Sequence, residues 1–211
     1  MELKSFNLLV VGVGGQGVIR AVQILSLAAL MDNYKVRTAE THGMAQRGGS
    51  VSSFLRFGNE VEGPLIPRGD CQIFLALEAS EAVRYFRYAN SDTFFLINNE
   101  INIPPTVHLM NMEYPNVNEI FGFLQQVSHN IFIVDAYKEA MKAGDPRVLN
   151  VYMIGVLVGA EVLPISINSL KRSIMRLVPT KAQTSNKNTF EEGIKKGKLL
   201  KGEIKLVSQI L

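Results

Sequence analysis

Cysteine occurs once in these 211 residues, at Cys71, and tryptophan does not occur. One cysteine excludes a disulfide framework, a four-cysteine zinc site and any iron–sulfur cluster held by this chain alone. Charge is sparse, 19% against 47% hydrophobic residues, which argues against a disordered or fibrous chain. No apolar run reaches 18 residues without a charge, so no membrane span is expected. The start, Met1-Glu2-Leu3-Lys4-Ser5-Phe6, lacks the basic region and small-residue cleavage site of a signal peptide. These absences together predict a soluble, cytoplasmic globular protein, long enough to bury a core without cross-links.

What charge there is falls unevenly. Residues 1–170 carry 12 Lys+Arg against 16 Asp+Glu, whereas residues 171–211 carry 10 against 3. A basic end of this kind suits an anionic cofactor, nucleic acid or an acidic partner surface, or is simply a solvated helix face. Nucleic acid fits worst, because the basic stretch has no interleaved aromatic platforms. Lys195, Lys196, Lys198, Lys201 and Lys205 are read as solvated, or as guides to an acidic partner.

Phe6 to Val11 is a short apolar run closed by glycine, the pattern of a strand buried on both faces. From Gln16 to Met31 the apolar residues recur at helical spacing. Strands are then predicted over 35–39, 50–57, 72–77, 93–98, 106–110 and 131–134. Helices are predicted over 79–89, 117–127 and 136–143, the last stopped by Gly144-Asp145-Pro146. Helical patterns continue over 151–163, 167–177 and 188–201. Strands alternating with helices define an α/β domain with a Rossmann-like, mainly parallel sheet flanked by helices. The expectation is a single domain over 1–211, with an α/β core at about 5–145 and a helical C-terminal portion at about 150–205 that packs back on the sheet.

Gly12-Val13-Gly14-Gly15-Gln16-Gly17 satisfies G-x-G-x-x-G in its required place, after a strand and opening a helix. Glycine admits backbone angles that a Cβ forbids, and the free N–H groups of the helix start favour an anion. A dinucleotide site also needs an acidic residue near the end of the second strand, for which Glu40 is the nearest candidate. The alternative is a turn that serves strand–helix packing alone.

A second glycine-bearing run follows, Thr41-His42-Gly43-Met44-Ala45-Gln46-Arg47-Gly48-Gly49-Ser50, between two predicted strands. In a parallel sheet it leaves the same edge as the first glycine turn, so His42 and Arg47 face whatever sits there. Arg47 offers bidentate recognition of phosphate or carboxylate, or else pairs with a carboxylate and fixes the loop. His42 is read as satisfied by backbone groups, with a catalytic imidazole as the alternative. Glu78 closes the fourth strand and either caps the next helix or reaches the crevice. Cys71 is expected to be a buried small hydrophobe. The Tyr85-Phe86-Tyr88 cluster is expected to serve core or interface packing. His108 and His129 have no metal-ligand spacing.

These two runs, together with Pro64-Leu65-Ile66-Pro67, resemble the gamma-type subunit of the 2-oxoacid:ferredoxin oxidoreductases. Within that family the indolepyruvate branch is the most similar. The eight consecutive residues from His42 to Gly49 are the most specific part. The resemblance extends over about residues 6 to 200, through Asn150-Val151-Tyr152-Met153-Ile154-Gly155 and the stretch Asn188 to Gly193.

The resemblance implies oxidative decarboxylation of a 2-oxoacid, an aryl pyruvate in the most similar branch. Coenzyme A and oxidised ferredoxin are consumed, and an acyl-CoA, carbon dioxide and reduced ferredoxin are formed. Thiamine diphosphate and [4Fe–4S] clusters would belong to a large alpha subunit. This chain has one cysteine and no Gly-Asp-Gly…Asn-Asn thiamine motif, because Gly69-Asp70-Cys71 lacks the second glycine and nothing suitable precedes Asn98-Asn99. It is therefore expected to be inactive alone, to act as a coenzyme-binding or interface element through Gly12, Gly14, Gly15, Gln16, Gly17, Glu40, His42, Gly43, Gln46, Arg47, Gly48 and Gly49, and to self-associate when isolated, if at all, as a homodimer. Two other readings stand beside this one: a freestanding NAD(P)-dependent dehydrogenase, and a non-catalytic nucleotide-binding assembly module.

Overall fold

The computed structural model describes residues 3–42, 49–101 and 114–210. Among them, six strands form one sheet: β1 (Phe6–Val13), β2 (Lys35–His42), β3 (Ser50–Gly58), β4 (Ile73–Ala76), β5 (Phe94–Asn98) and β6 (Ile131–Val134). Their order is β2-β3-β1-β4-β5-β6. β1, β4, β5 and β6 run parallel, and β3 runs antiparallel to both β1 and β2. The mainly parallel sheet is thus borne out, with one reversed strand. Only residues 43–49 link β2 to β3, and a parallel return needs a crossover of about a dozen residues or more. A link this short imposes the reversal.

Helices α1 (Val18–Met31), α2 (Ala79–Tyr85), α3 (Val117–Leu124), α4 (Ala136–Lys142), α5 (Leu149–Gly159), α6 (Ile167–Leu177) and α7 (Gln183–Ile210) cover the sheet. β1 lies in the middle of it, and its alternating side chains feed two cores. Leu8 and Val10 join α1 and α5 on one face, while Leu9 and Val11 join α2 and α3 on the other. That double burial is why the strand reads as continuously apolar.

Every residue of α5 is buried, as an all-round apolar helix requires. It lies between α1 and α7, so α7 packs on a helix rather than on the sheet. Gly155 and Gly159 of α5 meet Gly193 and Gly197 of α7. A Cβ on Gly193 would stand 3.0 Å from the Gly155 Cα and overlap the Tyr152 carbonyl.

Several boundaries differ from the sequence pattern. α2 gives way to a 3-10 turn over Phe86–Tyr88, and α3 stops at Leu124. α5 ends at Gly159, shortly before Glu161 turns into the left-handed region at φ 59°. α7 begins at Gln183, in a polar stretch whose apolar residues are too few to show a period. The strand expected over 106–110 lies outside the described residues.

Candidate functional site

β1 connects through α1 toward β2, and β4 connects through α2 toward β5, on the other side. The crevice outside the carboxyl ends of β1 and β4 is therefore the topological switch point of the sheet, where α/β folds place ligands. The first glycine turn forms one wall of it. The residues after β4 form the other, with the Leu77 N–H donating to the Val11 carbonyl at 2.8 Å.

The turn is bonded to itself. The Gln16 side-chain Oε1 accepts the Val13 N–H at 2.8 Å, and the Gln16 N–H donates to the Val13 carbonyl at 3.1 Å. A Cβ on Gly12 would lie 2.8 Å from that Oε1 and 2.9 Å from Val18 Cγ2, so close packing explains this glycine. Gly15 and Gly17 have φ of 105° and 85°, where a side chain is strained. Gly17 is also crowded, with Asn150 Nδ2 2.6 Å from where its Cβ would stand. It caps α1 without any side-chain hydrogen bond, and the first turn of α1 contains no acidic residue. The helix start thus keeps the N–H groups and the dipole that favour an anion.

The second glycine-bearing connection begins and ends beside this turn. His42 pairs with Val51 and Val13 with Ser50, so the ends of β1 and β2 share one edge of the sheet. The Gly14 N–H donates to the Gly49 carbonyl at 2.9 Å. Gly43, Gln46, Arg47 and Gly48 lie outside the described residues. Glu40 is exposed on β2, paired in register with Ser53. Because β3 intervenes, Glu40 stands two strand spacings from the glycine turn, about 10 Å. The dinucleotide arrangement, with the acidic strand next to the first, is therefore not the one found here.

Two glutamates of the opposite wall form a buried network. Glu78 caps α2, accepting the Glu81 N–H at 3.1 Å and the Ser80 hydroxyl at 2.7 Å. Tyr114 donates its hydroxyl to the other oxygen of Glu78. Burial and this bond push the Tyr114 phenol above its ordinary range. Glu81, 2% exposed, accepts the Ser50 hydroxyl at 2.5 Å on Oε2 and the Arg84 Nε–H at 3.2 Å on Oε1. The Tyr85 hydroxyl lies 3.3 Å from that of Ser50. Burial raises the Glu81 pKa, against the bonds from Ser50 and Arg84 and with help from the charge of Glu78. The sequence reading singled out Glu78 but missed Glu81, because a Glu in a first helical turn looks like any other. Only the Ser50 bond, across 31 residues, marks it out.

Cys71 is fully buried, its thiol 2.9 Å from the Ile73 carbonyl and pushed up to about 12 by burial. A thiol this enclosed behaves as a small hydrophobe, as expected. Among the described residues, no three or more His, Cys, Asp or Glu side chains are grouped to hold a metal ion. The chain's one cysteine, buried just ahead of β4, is the only thiol it could offer an iron–sulfur centre. No described helix is long and apolar enough to cross a membrane. Lys195 and Lys201 pair with Glu192 and Glu161.

The family model described as pyruvate ferredoxin/flavodoxin oxidoreductase matches residues 7–196. The chain belongs to this family. It is 39% identical to the indolepyruvate oxidoreductase subunit IorB of Archaeoglobus fulgidus, over 89% of this chain and 92% of that protein. Identity to IorB of Pyrococcus horikoshii is 37%, over 93% and 98%. The fold is shared with the pyruvate oxidoreductase subunit PORC of Thermotoga maritima, at TM-score 0.67 and 21% identity, covering 91% of this chain and 96% of that one. It is also shared with part of the 2-oxoglutarate:ferredoxin oxidoreductase of Magnetococcus marinus, a structure with 2-oxoglutarate, coenzyme A and succinyl-CoA bound. There the TM-score is 0.71 at 19% identity, over 94% of this chain and 32% of that one. These matches bear out the α/β fold and the expectation of an oxidoreductase subunit.

Proposed function

We propose that this chain is the small subunit of an indolepyruvate:ferredoxin oxidoreductase. It supplies a binding and docking surface, while a larger subunit supplies thiamine diphosphate, the [4Fe–4S] clusters and the electron path to ferredoxin. The assembled enzyme would convert an aryl pyruvate, coenzyme A and oxidised ferredoxin to an acyl-CoA, carbon dioxide and reduced ferredoxin. In this chain, the turn Gly12–Gly17 and the connection from Glu40 to Gly49 form the coenzyme A side of the shared active centre.

One observation carries the reading. The Gly14–Gly49 bond of 2.9 Å joins the two glycine-bearing connections at the switch point of the sheet. The uncapped start of α1 lies in the same turn, and Arg47 belongs to the other connection. The first can receive the dipole-stabilised charge of a phosphate, and a guanidinium can bind one bidentately. The role of this chain would be to hold the coenzyme in place, without forming or breaking bonds itself. The intervening β3 counts against a freestanding dinucleotide dehydrogenase.

The purified chain is expected to oxidise no aryl pyruvate, and activity should return on mixing with the thiamine-bearing large subunit. Turnover by the isolated chain would reject the division of labour. In the reconstituted enzyme, Arg47→Ala should raise the KM for coenzyme A. An unchanged KM would remove the connection from the coenzyme site.

A further inference from the structure

Glu81 has no part in the function proposed above, and its burial has no explanation in packing alone. A carboxyl group 2% exposed is costly unless its oxygens are bonded. Its two oxygens face different structures. Oε1 accepts from Arg84 on its own helix, whereas Oε2 accepts the Ser50 hydroxyl, 2.5 Å away on β3. Ser50 directly follows Gly49, whose carbonyl accepts the Gly14 N–H at 2.9 Å. The pair Gly49–Ser50 is therefore tied on one side to the glycine turn and on the other to α2. The Tyr85 hydroxyl lies 3.3 Å from that of Ser50, and the neighbouring Glu78 is bonded to Tyr114.

We infer that Glu81 is a positioning residue for the coenzyme site. Through Ser50 it holds Gly49 and the first residues of β3 against the glycine turn. This inference rests on the coenzyme A reading above and names the side chain that sets its geometry. Glu81 acts at second hand, without touching the ligand. Loss of a contact made equally to bound ligand and transition state raises KM and leaves kcat unchanged.

The test uses the reconstituted two-subunit enzyme. Glu81→Ala and Ser50→Ala should each raise the KM for coenzyme A about tenfold with kcat little changed, an effect on the scale of one lost hydrogen bond. The double variant should be no worse than either single one, because both remove the same hydrogen bond. Glu81→Gln keeps an acceptor for Ser50 and should restore most of the affinity. A merely structural role would lower the melting temperature and the yield of active enzyme, and leave KM unmoved. If Glu81→Ala fails to fold, Ser50→Ala and Glu81→Gln carry the comparison. A normal KM in Ser50→Ala, with a raised KM in Arg47→Ala, would overturn the role of Glu81 and leave the coenzyme reading standing. A normal KM in Arg47→Ala as well would overturn both.

Discussion

The side-chain amide of Asn150, on the first turn of α5, donates to the carbonyl of Gly17 at 3.0 Å across 133 residues of sequence. The same carbonyl accepts the Ala21 N–H at 2.9 Å, so the C-terminal helices grip the glycine turn where α1 begins. The Asn150 Oδ1 accepts the Val151 N–H at 2.8 Å, so this buried amide is bonded at both ends.

Gly17→Ala is expected to destabilise the fold by about 1–3 kcal/mol, because φ of 85° strains a Cβ and Asn150 Nδ2 stands in its place. Asn150→Ala should cost about 1 kcal/mol through the lost hydrogen bond. The double variant should lose less than the sum, since removing the amide relieves the overlap but leaves the backbone strain. Urea titrations of the four proteins measure this directly, and strict additivity would deny the contact.

At the α5–α7 contact, Gly159→Ala would drive a methyl group into the Ile194 carbonyl. Overpacking of a close helix pair costs about 1–3 kcal/mol or more. Gly122, on the exposed side of α3, meets nothing within 4 Å, so Gly122→Ala should stabilise by about 0.5–1 kcal/mol. Opposite shifts in melting temperature for two Gly→Ala changes would separate packing from chain entropy.

Two carboxylates should give pH dependences of opposite sign. Burial of Asp32 raises its pKa, but bonds from Ser166 and Ser169 and the charge of Arg172 outweigh it and lower the pKa overall. Its stabilisation is present above the unfolded value of about 4 and fades as pH falls through the folded one. Asp32→Asn should therefore cost about 1 kcal/mol at pH 7, where the carboxylate faces the start of α6. The difference should close at low pH. Glu81 is raised, so its contribution is full below about pH 4 and is lost as pH rises through the folded value. Glu81→Gln should accordingly be more stable than the parent at neutral pH, converging on it in acid. Denaturation curves between pH 3 and pH 8 would reverse this argument if both variants moved the same way.

Burial pushes the Cys71 thiol well above its ordinary range and closes it to solvent, so it should carry almost no thiolate at pH 8. A thiol reagent should leave the folded chain unlabelled and mark it at the rate of unfolding. Rapid labelling of the native protein would show that the segment leading into β4 opens locally.

What the residues determined unaided was local. The change from a continuous apolar run to a helical period across Gly12–Gly17 predicts strand, turn and helix, because both periods depend on neighbours within four residues. The alternation over Ser50 to Phe57 predicts a strand in the same way, and the motif from His42 to Gly49 carried the family resemblance. Tertiary structure alone decided which elements became neighbours. β3 lies between β1 and β2, Asn150 seats on Gly17, and Glu81 reaches Ser50. Four glycines bring α5 and α7 into contact. A strand carries the same alternation whichever way it runs, and a glutamate in a first turn looks the same whether it faces water or a hydroxyl. Those choices are made by burial and hydrogen-bond satisfaction between segments far apart in sequence, which no local pattern records.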